Sequence, residues 1–296
     1  MTLSCGRFFS YFYPVRKKVK ALKTLLYILV AAAITMAAIV YQRATGPTYP
    51  KKSELQIGTS IYPLELIRSH GGTQDCPLEF LVPDTAVSGS VTYRRFPVNE
   101  EWTTVAMVRK DSLLTASLPH QPPAGKLEYR VEFRKGEQVY PLHESNATVI
   151  RFKGDVPAAI LIPHVILMFV AMFFANLAGV MALFRHPRFR FYTIWTLVLL
   201  GVGGMIFGPW VQWHAFGEAW AGIPFAWDLT DNKTLLAFLF WILAVVMNRK
   251  RERPGYVLLA SLVMLAVYSI PHSMYGSQLD PETGKIIQGM ILSPLF

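Results

Sequence analysis

Five apolar runs, each close to the length that crosses a hydrocarbon core, constrain this 296-residue chain more than any other feature. They are Thr24–Tyr41, Ala158–Phe184, Tyr192–Pro209, Lys233–Asn248 and Tyr256–Ile270. A spanning helix needs roughly 17–25 residues, so the last two are short and their ends must snorkel or be shielded by neighbours. With 52% hydrophobic residues, 16% charged residues and a mean hydropathy of +0.32, the chain has the composition of membrane spans plus one modest soluble part.

The net charge of +10 does not indicate nucleic acid, because of where the charge lies. Residues 1–23 and the short connections 185–190 and 249–253 hold 13 basic residues against one acid, Glu252. The rest of the chain holds 16 basic and 18 acidic residues. Short basic connections stay on the cytoplasmic side, so the basicity records topology. Alternation then places 42–157, 210–232 and 272–296 outside an inner (cytoplasmic) membrane. Cys5 falls inside and Cys76 outside, which excludes a disulfide between them. The first run is long for a cleavable leader and lacks an A-x-A site, so it reads as an uncleaved signal anchor.

After a Pro- and Lys-bearing linker at 42–54, the period changes to two. Leu127, Tyr129, Val131 and Phe133 alternate with Lys126, Glu128, Arg130 and Glu132, the mark of a strand with one buried face. Similar runs at Ile61–Ile67, Leu78–Val82, Ser90–Phe96, Thr103–Val108, Leu113–Leu118 and Thr148–Phe152 are separated by turn residues. About seven strands in about 100 residues predict a β-sandwich over 55–152. The stretch Leu118–Phe133, LPHQPPAGKLEYRVEF, resembles the LPxG-then-YxYxV strand of immunoglobulin-like, fibronectin-type and early-set carbohydrate-binding sandwiches. That resemblance covers about a third of the chain and implies a fold rather than a ligand.

Only Lys153–Pro157 joins the last strand to the second span. Five residues reach at most ~17 Å, so the strand domain must sit close to the 209–234 connection. Ala171, Ala175, Ala178, Gly179 and Ala182 in span two, and Gly201, Gly204 and Gly208 in span three, make small-residue stripes that let helices approach. The expected architecture is therefore membrane α-helical plus an all-β domain. It comprises an N-terminal anchor helix, an extracytoplasmic β-sandwich, then a four-helix transmembrane bundle over 158–271, with the anchor set apart from the bundle.

The connection PWVQWHAFGEAWAGIPFAWDLTDNKT, Pro209–Thr234, is too long and aromatic for a mere linker, and an ordered outer loop is expected over 210–232. Three classes of function remain open. In the first, the chain is a non-catalytic accessory or scaffold subunit of an envelope complex, a respiratory or electron-transfer assembly being one kind. Trp213, Trp220, Trp227 and Glu218 would then bind a partner protein. In the second, His164, His214, His272, Asp228 and Asp231, which all fall at the outer ends of the bundle helices, hold a transition metal, or His164 and His272 ligate haem b. No HExxH or CxxC spacing backs a metal, and Asp231 also reads as a helix N-cap. In the third, Trp102 or the tryptophan loop is a platform for a glycan or lipid headgroup. No catalytic motif is visible. The tail from Tyr275 on, with its apolar end, is expected to fold back on the sandwich or to dock a partner.

Overall fold

The computed structural model describes residues 6–46, 48–142, 147–271 and 277–288. The chain begins with helix α1 (Gly6–Thr45). Eleven strands follow: β1 (Lys51–Ile57), β2 (Ser60–Leu66), β3 (Ser69–Gly71), β4 (Cys76–Leu81), β5 (Val87–Arg95), β6 (Thr103–Ala106), β7 (Val108–Lys110), β8 (Leu113–Leu118), β9 (Lys126–Lys135), β10 (Gln138–Pro141) and β11 (Thr148–Lys153). Next come α2 (Ala158–Leu183), α3 (Phe189–Leu200), a π-helical stretch Gly201–Phe207, α4 (Gly208–Phe216), α5 (Leu229–Met247) and α6 (Pro254–Ser269). A small hairpin, β12 (Ser277–Leu279) with β13 (Ile286–Gln288), closes the described chain.

Two compact units account for these elements. The first gathers the described residues of Met1–Gln42, Pro163–Ile206 and Lys233–Ile270; the second gathers those of Arg43–Ile162, Phe207–Asn232 and Pro271–Phe296.

The first unit is helical. Among the described residues, four helical stretches are long and apolar enough to cross a membrane: Lys20–Thr45, Ala158–Leu183, Phe189–Phe216 and Leu229–Met247. These make the chain a membrane protein. The fifth expected span is the shorter apolar helix α6, of 16 residues. The small-residue stripes do what small residues do in lipid. Ala171, Ala175, Ala178 and Ala182 are all buried, and a Cβ on Gly179 would lie 2.3 Å from the Ser261 hydroxyl. A Cβ on Gly204 would likewise meet Thr234 Cγ2 at 2.9 Å.

The expectation that the first helix stands apart is overturned. Ala31, Thr35 and Ala38 are buried at helical spacing, and the Asn176 amide donates to the Thr35 hydroxyl at 2.9 Å. Gln42 donates to the Tyr268 carbonyl at 2.8 Å. A hydrophobicity profile registers the length of such a helix, not the small and polar side chains that join it to its neighbours. The third span also runs further than expected, to Phe216 instead of Pro209. Pro209 reads as a stop because it lacks an amide hydrogen. The glycine-rich stretch just before it is wound as a π-helix, and a locally widened helix accommodates that missing donor.

The second unit holds the strands. A six-stranded sheet runs β3-β11-β9-β5-β6, with β10 also on β9, and a three-stranded sheet runs β4-β8-β7. Strands β1 and β2 form a hairpin that turns at Gly58, whose φ of +61° suits glycine. One apolar core serves all three, drawing Leu55 and Leu66 from the hairpin, Leu78, Phe80 and Leu118 from one sheet and Tyr129, Val131, Phe133 and Phe152 from the other. Phe80 and Phe133 meet edge to face at 5.7 Å. Fully burying each Leu, Val or Phe of this kind contributes roughly 1.5–3 kcal/mol. Strand β8 has the bounds expected of it, and β9 buries its predicted face. Strand β1 corrects the linker at 42–54: Lys51–Glu54 carry no apolar alternation, and pairing with β2 extends the strand through them.

Candidate functional site

The short connection after β11 has the consequence expected of it. Gly154 donates its amide to the Ala215 carbonyl at 2.9 Å, and a Cβ on Gly154 would lie 2.3 Å from the His214 carbonyl oxygen. Strand β11 and helix α4 are thus in direct contact within the second unit. Residues 210–216 of the expected loop are helical, and the αL residue Gly217 ends that helix by donating to Trp213 O.

Beyond Gly217 the chain has no regular structure until α5, so its polar groups need side-chain partners. Asp231 supplies several. Its Oδ2 accepts the Ala221 amide at 2.6 Å and the Gln212 amide group at 3.0 Å. Asn232 Oδ1 accepts the Ile223 amide at 2.8 Å. Trp220 is half-buried and donates its indole N–H to Ile223 O at 3.1 Å. Gly222 is packed too tightly for a side chain, with Asp231 Cβ 2.7 Å from where its Cβ would stand.

Asp228 joins this segment to the rest of the unit. Its Oδ1 accepts the amides of Thr230 (2.8 Å) and Asp231 (3.1 Å), which makes it the N-cap of α5. The sequence reading placed that cap at Asp231, three residues further on; the helix simply starts earlier. Oδ2 of Asp228 accepts the Ser277 amide at 3.0 Å and faces its hydroxyl at 3.4 Å. The Ser277 carbonyl in turn accepts from Nη2 of Arg151.

Arg151 is the least expected side chain here. The alternation of β11 sends Ile150 and Phe152 into the core and Arg151 to the opposite face, where it is nevertheless only 7% exposed. Its guanidinium lies 4.1 Å from the centroid of Phe216, a cation–π contact. Its Nε is buried without a hydrogen-bond partner among the described residues. Directly across the ladder stands Lys126, whose Nζ donates to Gln278 Oε1 at 2.8 Å. Burial pulls Arg151 down to about 10, opposed by Asp228. Burial also pulls Lys126 down to about 8, helped by the Arg151 charge. Glu218 is shifted up, by burial first and then by Asp228. Leu279 donates to Ala124 O at 3.0 Å, so the described part of the tail, 277–288, folds back on the strand unit; its apolar end lies outside the described residues.

Outside this polar junction the same segment presents apolar side chains to the surroundings. Trp210, Trp213, Ile223, Phe225 and Trp227 are all exposed, Phe225 at 80% and Trp227 at 68%. Of the residues proposed for partner binding, Trp213 and Trp227 lie on this rim. Trp220 and Glu218 are half-buried within the segment.

The remaining candidates are dispersed. His164 belongs to the helical unit, and its Nδ1 lies 2.8 Å from the Gly203 carbonyl. A carbonyl can only accept, so Nδ1 donates this hydrogen bond. His214 is half-buried on α4. His272 lies outside the described residues. Among the described residues, no group of three or more His, Cys, Asp or Glu side chains is placed to hold a metal ion. Trp102 has the Arg94 and Arg130 guanidiniums each 4.5 Å from its ring centroid, two cation–π contacts.

Sequence reasoning missed Arg151, Lys126, Phe216, Ser277 and Gln278. The strand pattern carried no signal for Arg151: in Thr148–Lys153, TVIRFK, alternation puts the arginine on the face opposite Ile150 and Phe152, where solvent is the ordinary neighbour. No protein-family model matches the chain, and neither curated protein sequences nor solved structures give a match.

Proposed function

We propose that the chain is a membrane-anchored, non-catalytic scaffold subunit of an envelope complex, and that it holds a partner protein on the rim of Trp213, Phe225 and Trp227. In this reading residues 1–23 are cytoplasmic and the strand domain is extracytoplasmic, an immunoglobulin-like β-sandwich whose two sheets enclose one core. The observation that carries the proposal is the exposure of Ile223, Phe225 and Trp227, large apolar side chains on a segment held by buried hydrogen bonds, with Trp213 exposed on the last turn of the third span. Large apolar side chains exposed on an ordered segment support an interaction site, and tryptophan dominates interface hot spots. A pre-ordered backbone also loses little entropy on binding.

The test is photo-crosslinking in native membranes, with a benzophenone side chain at position 213, 225 or 227 and a control at the exposed strand residue Ile61. A discrete protein adduct at the three rim positions and none at 61 is the expected result. Adducts to lipid alone would make the rim an interfacial aromatic belt and end the scaffold reading.

A further inference from the structure

At the end of the helical unit that carries the basic connections, a cavity of about 290 Å³ opens between α3 and α5. It is lined by Arg190, Thr193, Ile194, Val245, Asn248 and Arg249. The geometry points to a binding site for the phosphate of an anionic phospholipid, with its acyl chain lying along the apolar faces of the same two helices.

The polar inventory of the cavity decides the sign of the ligand. The Thr193 hydroxyl is used by the Phe189 carbonyl at 2.8 Å. The Asn248 side chain is also used: Nδ2 donates to Ala244 O and Arg253 O, and Oδ1 accepts the Arg253 amide at 2.7 Å. What remains is the donors of two guanidiniums. Arg190 is held in place by donating Nη2 to the carbonyls of Asn248 and Arg249, at the carboxyl end of α5. Fixed there, it has Nε and Nη1 left to offer. Among the described residues no carboxylate forms an ion pair with either arginine, and Glu252 is the one acid in the neighbouring connections. Guanidiniums donate and never accept, and their fork fits a phosphate. A ligand that completes this cavity is therefore an anionic acceptor.

The surroundings decide its source. Ile194 is 53% exposed and Val198 44%, one turn apart on α3, and Val246 is 53% exposed on α5. These faces belong to helices long and apolar enough to cross a membrane. A soluble phosphate would leave that apolar floor bare, whereas a lipid covers it with a chain while its headgroup meets the cations. Basic pockets between spans on the positively charged side are suited to anionic lipid. The positive loops thus do more than set orientation: two of their arginines are organised into a site.

The experiment uses the full chain purified in a neutral detergent, with thermal unfolding followed during titration by phosphatidylglycerol, by phosphatidylcholine and by inorganic phosphate. Phosphatidylglycerol is expected to raise the midpoint and to remain bound in native mass spectra; the other two are not. Arg249→Gln removes an exposed cation and is expected to weaken the phosphatidylglycerol response about 5-fold. Ile194→Trp, which fills the cavity at an exposed position, is expected to weaken it without altering the charge. An equal response to phosphatidylcholine, or an unchanged response in both variants, overturns the site. An equal midpoint rise with inorganic phosphate overturns the lipid assignment.

Discussion

Replacing Asp228 with alanine tests whether the junction between α5, Arg151 and the tail strand is built as described. Three backbone amides end on this one buried carboxylate, from Thr230, Asp231 and Ser277. Loss of an N-cap costs about 1 kcal/mol. Stranding the buried Ser277 amide costs roughly 1–3 kcal/mol more. The two terms together come to about 3 kcal/mol, before Arg151 loses the carboxylate that offsets its burial. The substitution Asp228→Asn would keep one acceptor oxygen but no charge, and is expected to cost about half as much. Denaturant unfolding of the detergent-solubilised chain, followed by β-sheet circular dichroism, gives the free energies. Hydrogen exchange then localises the loss: protection of the Ser277 amide should fall on the order of 100-fold in Asp228→Ala if local opening follows the same energy. An alanine variant within about 0.5 kcal/mol of wild type, the range of a neutral surface change, with Ser277 still protected, would refute the junction.

Gly154→Ala should destabilise the strand unit by about 1–3 kcal/mol, because the added methyl meets a backbone oxygen that has no rotamer to move to; the same unfolding assay reads it. Lys126 titrates at about 8 when folded, against about 10.4 free. The unfolded chain therefore binds more protons between these values, and this residue makes stability rise with pH across that window. The difference between wild type and Lys126→Met should shrink from pH 8 to pH 10, and a pH-independent difference would contradict the burial of the ammonium. In the helical unit, Asn176→Ala and Thr35→Val should each weaken attachment of α1, with a coupling energy near the ~0.6 kcal/mol typical of hydrogen bonds between membrane helices. Additive effects in the double variant would show that the two side chains do not interact.

What could be read in advance depended on how far apart the interacting residues lie. Strand β9 was legible because its burial is written in every second residue, Leu127 to Phe133, and β8 because Leu113, Leu114 and Leu118 lie in a short run between two turns. The same local logic found the apolar helices. It failed at β1, where Lys51–Glu54 carry no pattern, and at β12, where Ser277–Leu279 has none either. Strand β12 is positioned by Asp228, 49 residues away, and by Arg151, 126 residues away. The candidate site was chosen by residue type and by depth along the helices, which brought in His164 and His214 along with Asp228 and Asp231. Depth does not say whether an aspartate faces a metal or a row of amides, and the carboxylates of Asp228 and Asp231 accept backbone N–H groups. Arg151 was not legible either. A charge between Ile150 and Phe152 alternates to the face opposite the core, where a strand of this pattern ordinarily meets solvent, so nothing in the strand signalled that Arg151 would be buried and need partners. That these partners would be Phe216 and the Ser277 carbonyl could not be read from the strand, because both come from segments that only the folded chain brings to it.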